Sequence, residues 1–438
     1  MNLTRSQLII VGVAGAVLII IALIALGVIP GIRIQEQKPP EITLTIWGVS
    51  DNKSVFQENL SAYEALRPNI RVNYEELNPD DYEKVLVNAL AAGKGPDIMM
   101  LNNSWLPKHF DKLIPVKNEQ LTPKSFQELF PVVAEQDFAP DGIIYAAPLY
   151  IDTLALFYNQ DTFDKNGIAV APKDWLDFQN LIPKLRQKDA SGKIIKAAAA
   201  IGGSNNNIGN ASDFLTLLML QAGTKMTDDD FQQTTFANSV EGLFPARDAL
   251  TFYAKFSNPN EDDFYTWNEN FENSLDSFAR GNTAMIFAYA GQKENIKTKN
   301  PFLNFKSAAM PQPVESEKAV NYPNYQGLAV TKNSQYPDWA WDLILYLTAN
   351  ETAAENYLSH SSRSPALRAL IQKYAEHPEL GVFAKQALSA RSWPQIDKEQ
   401  IAKIFSQMIV SAVTGQLSVA EAVNQADRQA TELMRARR

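Results

Sequence analysis

The sequence predicts an α/β fold with more than one domain, and three observations support this prediction. Segments with strand character and segments with helix character alternate from Glu41 onward. The chain has 438 residues, which is more than one hydrophobic core usually holds. Its 45% hydrophobic and 20% charged residues are typical of a globular protein. Regular alternation of strands and helices implies a parallel sheet with helices on both faces.

The first elements can be placed in order along the chain. Residues 42–47 alternate in polarity and are rich in β-branched side chains, which predicts a strand. A helix opens at Ser54 and stops before Pro68, and a second strand covers residues 70–74. Asp80 or Asp81 begins the next helix, and a third strand follows at residues 96–101. Because ligands bind beyond the carboxyl ends of such strands, residues 47–52 and 101–105 should form a cleft wall.

The N-terminus predicts a membrane anchor. Residues 8–29 form an unbroken apolar run of 22 residues, which is long enough to span a hydrocarbon core of about 30 Å. Arg5 precedes this run, so the positive-inside rule keeps that end in the cytoplasm. Residues 1–40 are therefore predicted to be one transmembrane helix and a short stalk, with the globular part on the extracytoplasmic face of the cell membrane. Cleavage near residues 25–27, as in a signal peptide, is the alternative.

Composition excludes several functions. The 49 acidic residues outnumber the 40 basic ones, which argues against a nucleic-acid partner. The chain has no cysteine, so disulfides, thiolate metal sites and cysteine nucleophiles are excluded. It has three histidines in unrelated contexts, no serine-hydrolase elbow and no phosphate-binding glycine loop. We therefore expect no catalytic residues, no cofactor and no metal. An EF-hand-like calcium site between Asn258 and Glu269 is an alternative, although Asp263 stands where that loop requires glycine.

Residues 145–178 carry the most informative motif. A turn at Pro148 is followed by an acidic residue, Asp152, and by an apolar strand that ends in Tyr158 and Asn159. Asn159 suits a helix start, because its side-chain oxygen can accept a backbone N–H bond. This order resembles the extracellular solute-binding proteins of the maltose-binding type. Further parts of that family's pattern occur in sequence at residues 278–285, 309–313, 326–341 and 390–422.

The resemblance implies a periplasmic-binding-protein-like class II fold, with two discontinuous α/β lobes joined by a hinge. Lobe 1 would comprise residues 41–149 and 327–370, and lobe 2 residues 150–326 and 371–438. The implied function is that of a monomeric, non-enzymatic component of an ABC importer, which captures a sugar or oligosaccharide and delivers it to a permease. The alternatives are an anchored sensor or scaffold, a glycan-acting enzyme, or a binding protein for a polyamine, peptide or phosphate ester.

Candidate ligand-binding residues are aromatic and small polar side chains at the predicted cleft edges. Sugars stack on aromatic rings, while amides and carboxylates bond their hydroxyl groups. Core packing is the alternative for the tryptophans and helix capping for the residues around position 51. Tyr289 stands where the resembled family often has tryptophan, and Arg363 suits a surface role or an anionic solute. The candidates are Trp47, Asp51, Asn52, Asn103, Trp105, Asp152, Trp267, Tyr289, Tyr322, Tyr325 and Trp393.

Overall fold

The computed structural model describes residues 4–25, 40–49 and 51–436. The chain divides into two compact units, Met1–Ile42 and Thr43–Arg438. Residues 31–39 of the predicted stalk (31–40) and the last four residues of the predicted transmembrane run lie outside the described residues.

The first unit contains one helix, α1 (Arg5–Ala25). Its residues 5–24 have a mean hydropathy of 2.9, and the helix is long and apolar enough to cross a membrane. Most of its large apolar side chains are exposed. The predicted apolar helix is therefore present, and its length and composition suit either an anchor or a signal sequence.

The second unit contains strands that form two larger sheets and one short ladder. The strands are β1 (Ile42–Val49), β2 (Ile70–Leu77), β3 (Ile98–Asn102), β4 (Leu113–Ile114), β5 (Ala147–Pro148), β6 (Asp152–Thr153), β7 (Ala155–Asn159), β8 (Gln187–Lys188), β9 (Ile194–Ala199), β10 (Thr283–Ala288), β11 (Phe305–Ala308), β12 (Pro323–Asn324) and β13 (Gln326–Thr331).

Helices cover both sheets. They are α2 (Lys53–Leu66), α3 (Tyr82–Ala91), α4 (Leu106–His109), α5 (Pro123–Leu129), α6 (Val132–Phe138), α7 (Gln160–Lys165), α8 (Trp175–Leu185), α9 (Ala211–Gln221), α10 (Pro245–Lys255), α11 (Ser274–Ala279), α12 (Lys293–Lys299), α13 (Pro337–Ala349), α14 (Glu351–Ser361), α15 (Arg368–Tyr374), α16 (Gly381–Ala387), α17 (Lys398–Val413) and α18 (Val419–Ala436). Short 3₁₀ helices occur at Phe110–Lys112, Pro140–Gly142 and Ala290–Gln292.

The first sheet has the strand order β2-β1-β3-β13-β4, and β5 also pairs with β13. β1 and β3 run parallel, as the sequence predicts. β13 is antiparallel to β3 and β4, so the expectation of a purely parallel sheet is wrong and the sheet is mixed. The reason is that β13 comes from a distant part of the chain, and the local pattern of the first hundred residues carries no information about it.

The second sheet has the order β11-β7-β10-β9-β8 and contributes to a large hydrophobic core. Rings of Phe214 and Phe287 meet in that core with centroids 4.0 Å apart. The crossover motif forms β7 followed by α7, and the Asn159 side chain accepts the backbone N–H of Thr162 at 2.9 Å. The predicted helix start at Asn159 is therefore confirmed.

A short two-stranded ladder links the two sheets. β6 and β12 pair antiparallel, with Asp152 opposite Asn324 and Thr153 opposite Pro323. The chain passes from the first sheet to the second through β6 and returns through β12. The segment after α14 lies beside this ladder, because the Ile151 N–H donates to the Ser364 carbonyl at 3.2 Å. The region between the sheets, which we call the seam, is thus built around the two passages at β6 and β12 and this neighbouring segment. The predicted lobe limits at residues 149, 326 and 370 stay a prediction.

Candidate functional site

A buried charged cluster lies on one side of the ladder. Arg363 donates through Nη2 to Asp51 Oδ1 at 3.2 Å, and its guanidinium lies 4.6 Å from the ring centre of Tyr150. The Tyr357 hydroxyl donates to the other carboxylate oxygen of Asp51 at 2.7 Å. The Asp51 and Arg363 side chains are only 5% and 15% exposed. This cluster joins the loop after β1, the crossover and the segment after α14.

Asp152 is the acidic residue of the crossover motif, and it is buried next to this cluster. Its carboxylate accepts the backbone N–H groups of Thr153, Ala290 and Gly291 at 2.8, 2.9 and 3.0 Å. Burial raises its pKa, and these hydrogen bonds and Arg363 oppose that effect. A Cβ atom at Gly291 would lie 2.7 Å from Arg363 Nη1, so Arg363 fills the space that a side chain at position 291 would occupy.

A second buried carboxylate, Asp137 on α6, connects the segments that follow β3, precede β13 and precede α17. It accepts the Tyr325 hydroxyl at 2.7 Å, the Asn103 amide at 3.1 Å and the Ser392 hydroxyl. Gln136 also donates to the Ser392 carbonyl at 2.8 Å. Burial raises the pKa of Asp137 from 3.8 to about 6, against the effect of its three donors.

Two buried tyrosines lie on the second-sheet side of the seam. The Tyr289 hydroxyl donates to Asp213 Oδ2 at 2.7 Å. The Tyr322 hydroxyl accepts from Gln395 Nε2 at 2.8 Å. Burial is the main cause that raises the pKa of both hydroxyls, so they stay protonated and can act as donors at neutral pH.

The segment from Ser392 to Asp397 borders the seam and a cavity of about 800 Å³. Trp393 stacks on Phe405 in the second core, with centroids 6.3 Å apart, whereas Pro394 and Ile396 line the cavity. Asn103 and Asp137 line the same cavity. Because Asn103 directly follows β3, the cavity lies at the carboxyl end of that strand, where the sequence predicts a cleft wall.

The structure brings seven of the candidate residues into the seam as buried side chains. These are Asp51, Asn103, Asp152, Tyr289, Tyr322, Tyr325 and Trp393. Of these, Asn103 lines the cavity.

The other four candidates lie elsewhere. Trp47 and Trp105 are half-buried, and the Trp105 ring stacks near Tyr82 with centroids 6.0 Å apart. Asn52 is exposed and caps α2, because its side chain accepts the Ser54 N–H at 3.1 Å. Trp267 is fully buried and stacks on Phe271 with centroids 4.5 Å apart, so it offers no surface to a solute in this conformation.

Several seam residues carry no local sequence signal. Asp137 and Ser392 are 255 positions apart, and no pattern in the sequence pairs them. Arg363 suited a surface role in the sequence, but the structure buries it between Asp51 and Tyr150. The excess of acidic residues in the chain says nothing about which of them are buried. A side chain of this kind becomes recognisable only when its distant partners are known.

The alternative calcium site is not assembled. Asp262 instead forms ion pairs with Arg186 at 3.2 Å and Lys188 at 2.6 Å. Glu269 accepts hydrogen bonds from Ser204 and Asn206. Within residues 4–25, 40–49 and 51–436, no group of three or more His, Asp or Glu side chains is placed to hold a metal ion.

Two sheets linked by the β6–β12 ladder, with polar and aromatic side chains in the seam, are typical of the two-domain solute-binding proteins. Residues 47–354 match the sequence model of the bacterial extracellular solute-binding proteins, and the chain belongs to this family. The predicted class, a protein that binds solute outside the cytoplasm, is thereby confirmed.

Individual relatives are distant in sequence but similar over most of their length. A protein of Brucella abortus described as a binding protein is 24% identical over 383 residues, which cover 82% of this chain and 85% of that protein. Maltodextrin-binding protein MdxE of Bacillus subtilis is 25% identical over 306 residues, or 66% and 67% of the two chains. The structure of the sugar-binding protein MalE from Xanthomonas citri aligns with a TM-score of 0.75 at 21% identity, covering 90% of this chain and 98% of that one. This similarity confirms the predicted fold.

Proposed function

We propose that this protein is the solute-binding component of an ABC importer, and that it captures a carbohydrate in the seam between its two lobes and delivers it to a permease. The observation that carries the proposal is the family match together with the cavity at the carboxyl end of β3. The relatives named for maltodextrin and sugar binding favour a carbohydrate over other solutes.

The side chains of the seam suit this function. These side chains are buried in this conformation, and opening of the seam would expose the rings and hydroxyl groups of Tyr289 and Tyr322 and the carboxylate oxygens of Asp51 and Asp152. Each of these carboxylates is held by donors from the protein, as a rigid binding site requires. The chain passages at β6 and β12 would act as a hinge, so that a solute bound to both lobes selects the closed state. This arrangement stabilises a complex and needs no reacting group, so we propose no enzymatic activity.

The N-terminal helix would hold the binding unit at the extracytoplasmic face of the cell membrane, beside its permease. Its apolar length of 20 residues supports a membrane-spanning role. The mass of the mature protein isolated from membranes distinguishes an anchor from a signal peptide. Retention of residues 4–25 supports the anchor, and a chain that begins after residue 25 rejects it.

Thermal unfolding of the full chain in lipid nanodiscs, with panels of sugars, polyamines, peptides and phosphate esters, tests the solute class. A ligand at a hundredfold excess over its Kd stabilises the folded state by about 2.7 kcal/mol. We expect a shift with at least one sugar and with no member of the other panels. The Tyr289→Phe variant should reduce that shift, because the hydroxyl bond to Asp213 is lost.

The matched control is Tyr336→Phe. It removes the same hydroxyl group, but from a side chain that is 38% exposed at the surface. It should respond to the sugar as the unmodified protein does. A shift with a polyamine or a phosphate ester but with no sugar would reject the carbohydrate assignment and leave the family intact. The absence of any shift would favour a sensor or scaffold role instead.

A further inference from the structure

We propose that the cavity beside Asn103 accepts an apolar group attached to the solute, so that the preferred ligand is a sugar carrying an aryl or short acyl substituent. The inference rests on the proposed function and refines it. The sugar would bind in the seam, and its substituent would occupy the cavity that opens from the seam at Asn103 and Asp137.

The walls of the cavity are mainly apolar. The apolar part of the lining includes Phe110, Ile143, Phe231, Pro394, Ile396 and Met434. The hydrogen-bonding groups of the seam suit a sugar, whereas the aliphatic and phenyl side chains of this lining suit an apolar guest.

The apolar side chains at this cavity are also unusually exposed. Phe110, Phe231 and Ile143 are 53%, 47% and 45% exposed, although large apolar side chains are mostly buried in this protein. They come from three separate segments of the chain and meet around one opening. A cluster of exposed apolar surface at a concave site is a frequent mark of ligand binding, because a bound apolar group removes that surface from water.

Four of the five charged groups of the lining are already held by partners within the protein, and the fifth, Asp141, is exposed at the rim. Lys108 lies 2.5 Å from Glu83 and 3.4 Å from Asp397, and Lys112 lies 2.6 Å from Asp111. Asp137 accepts three side-chain donors. A charged guest would have to compete with these pairs, whereas a neutral apolar guest would leave them undisturbed. The ion pairs thus favour a neutral substituent.

The size of the cavity agrees with this assignment. Its volume of about 800 Å³ lies within the range of about 300–1,000 Å³ that is usual for small-molecule sites. A phenyl ring or a short acyl chain fits in that space together with part of a sugar ring.

Calorimetric titration of the full chain in nanodiscs tests the inference with two matched pairs of ligands. The pairs are maltose with 4-nitrophenyl α-maltoside, and cellobiose with 4-nitrophenyl β-cellobioside. We expect the aryl glycoside of at least one pair to bind at least about tenfold more tightly than its parent sugar, which corresponds to 1.4 kcal/mol. Phe110→Ala and Phe231→Ala, which alter two lining residues from distant parts of the chain, should each reduce this ratio to below about threefold.

Phe302→Ala is the control, because Phe302 is 92% exposed and does not line the cavity. It should leave the ratio unchanged. Equal affinity of the sugar and its aryl glycoside in both pairs would overturn this inference and leave the proposed function standing. If the tenfold gain in affinity persists in both Phe110→Ala and Phe231→Ala, the aryl ring binds elsewhere, and the inference is also overturned. If no compound of either pair binds and no sugar of the broader panel shifts the thermal unfolding, both the proposed function and the inference are rejected.

Discussion

Replacement of Asp137 by asparagine should change how the stability of the protein depends on pH. Burial raises the pKa of Asp137 from 3.8 to about 6 in the folded protein. The folded state therefore binds a proton more tightly than the unfolded state, and the free energy of unfolding falls as the pH rises from about 4 to about 6. Because one pKa unit corresponds to about 1.4 kcal/mol, this single carboxyl should account for about 2–3 kcal/mol between pH 4 and pH 7.5.

The Asp137→Asn variant has no proton to exchange at this position. Asparagine also offers one acceptor oxygen to the three donors Tyr325, Asn103 and Ser392, which costs about 1–3 kcal/mol independently of pH. The difference in unfolding free energy between the unmodified protein and the variant should therefore decline by about 2–3 kcal/mol from pH 4 to pH 7.5. The change of this free-energy difference with pH reports on the buried carboxyl, whereas its constant part reports on the lost hydrogen bonds.

Urea unfolding followed by tryptophan fluorescence measures this difference. All seven tryptophans lie at or after position 47, so the signal comes from the globular unit. Asp141→Asn is the control for the change in net charge, since Asp141 is exposed at the rim of the same cavity. A difference between the unmodified protein and Asp137→Asn that stays constant from pH 4 to pH 7.5 would refute the assignment of a buried carboxyl with a raised pKa.

Two further substitutions test the packing of the seam and the hinge by the same urea assay. Arg363→Met should destabilise the protein by about 3–5 kcal/mol, because it leaves the carboxylate of Asp51 buried without its ion pair. Adding Asp51→Asn to this variant should recover part of that loss. If the double variant loses the sum of the two single losses, the pairing is contradicted. Gly327→Ala should cost about 1–3 kcal/mol, because its Cβ would lie 2.6 Å from a ring carbon of Phe138 and 2.9 Å from a backbone oxygen. Gly209→Ala, which meets no atom within 4 Å, should change the stability much less, and equal losses at both glycines would argue against a steric cause.

Much of the fold follows from local sequence patterns. The strand at residues 42–47 and the helix before Pro68 are present as β1 and α2, because polarity alternation and helical spacing act within a few residues. The cap at Asn159 is likewise a local hydrogen bond. The prediction of a purely parallel first sheet was wrong, since β13 enters that sheet from residues more than 200 positions further along the chain.

The amino-acid sequence by itself determined the α/β class, the apolar N-terminal segment, the absence of thiol chemistry and the family to which the chain belongs. Only the tertiary structure decided which polar side chains meet in the seam. Asp137 contacts Ser392 across 255 positions, and Asp51 contacts Arg363 across 312 positions. The tertiary structure also decided that Trp267 packs inside a core and that Asn52 caps a helix. The physical reason is that the periodicity of the sequence fixes which face of a helix or strand is apolar. The partner of a buried polar group, in contrast, depends on which distant segment of the chain packs beside it.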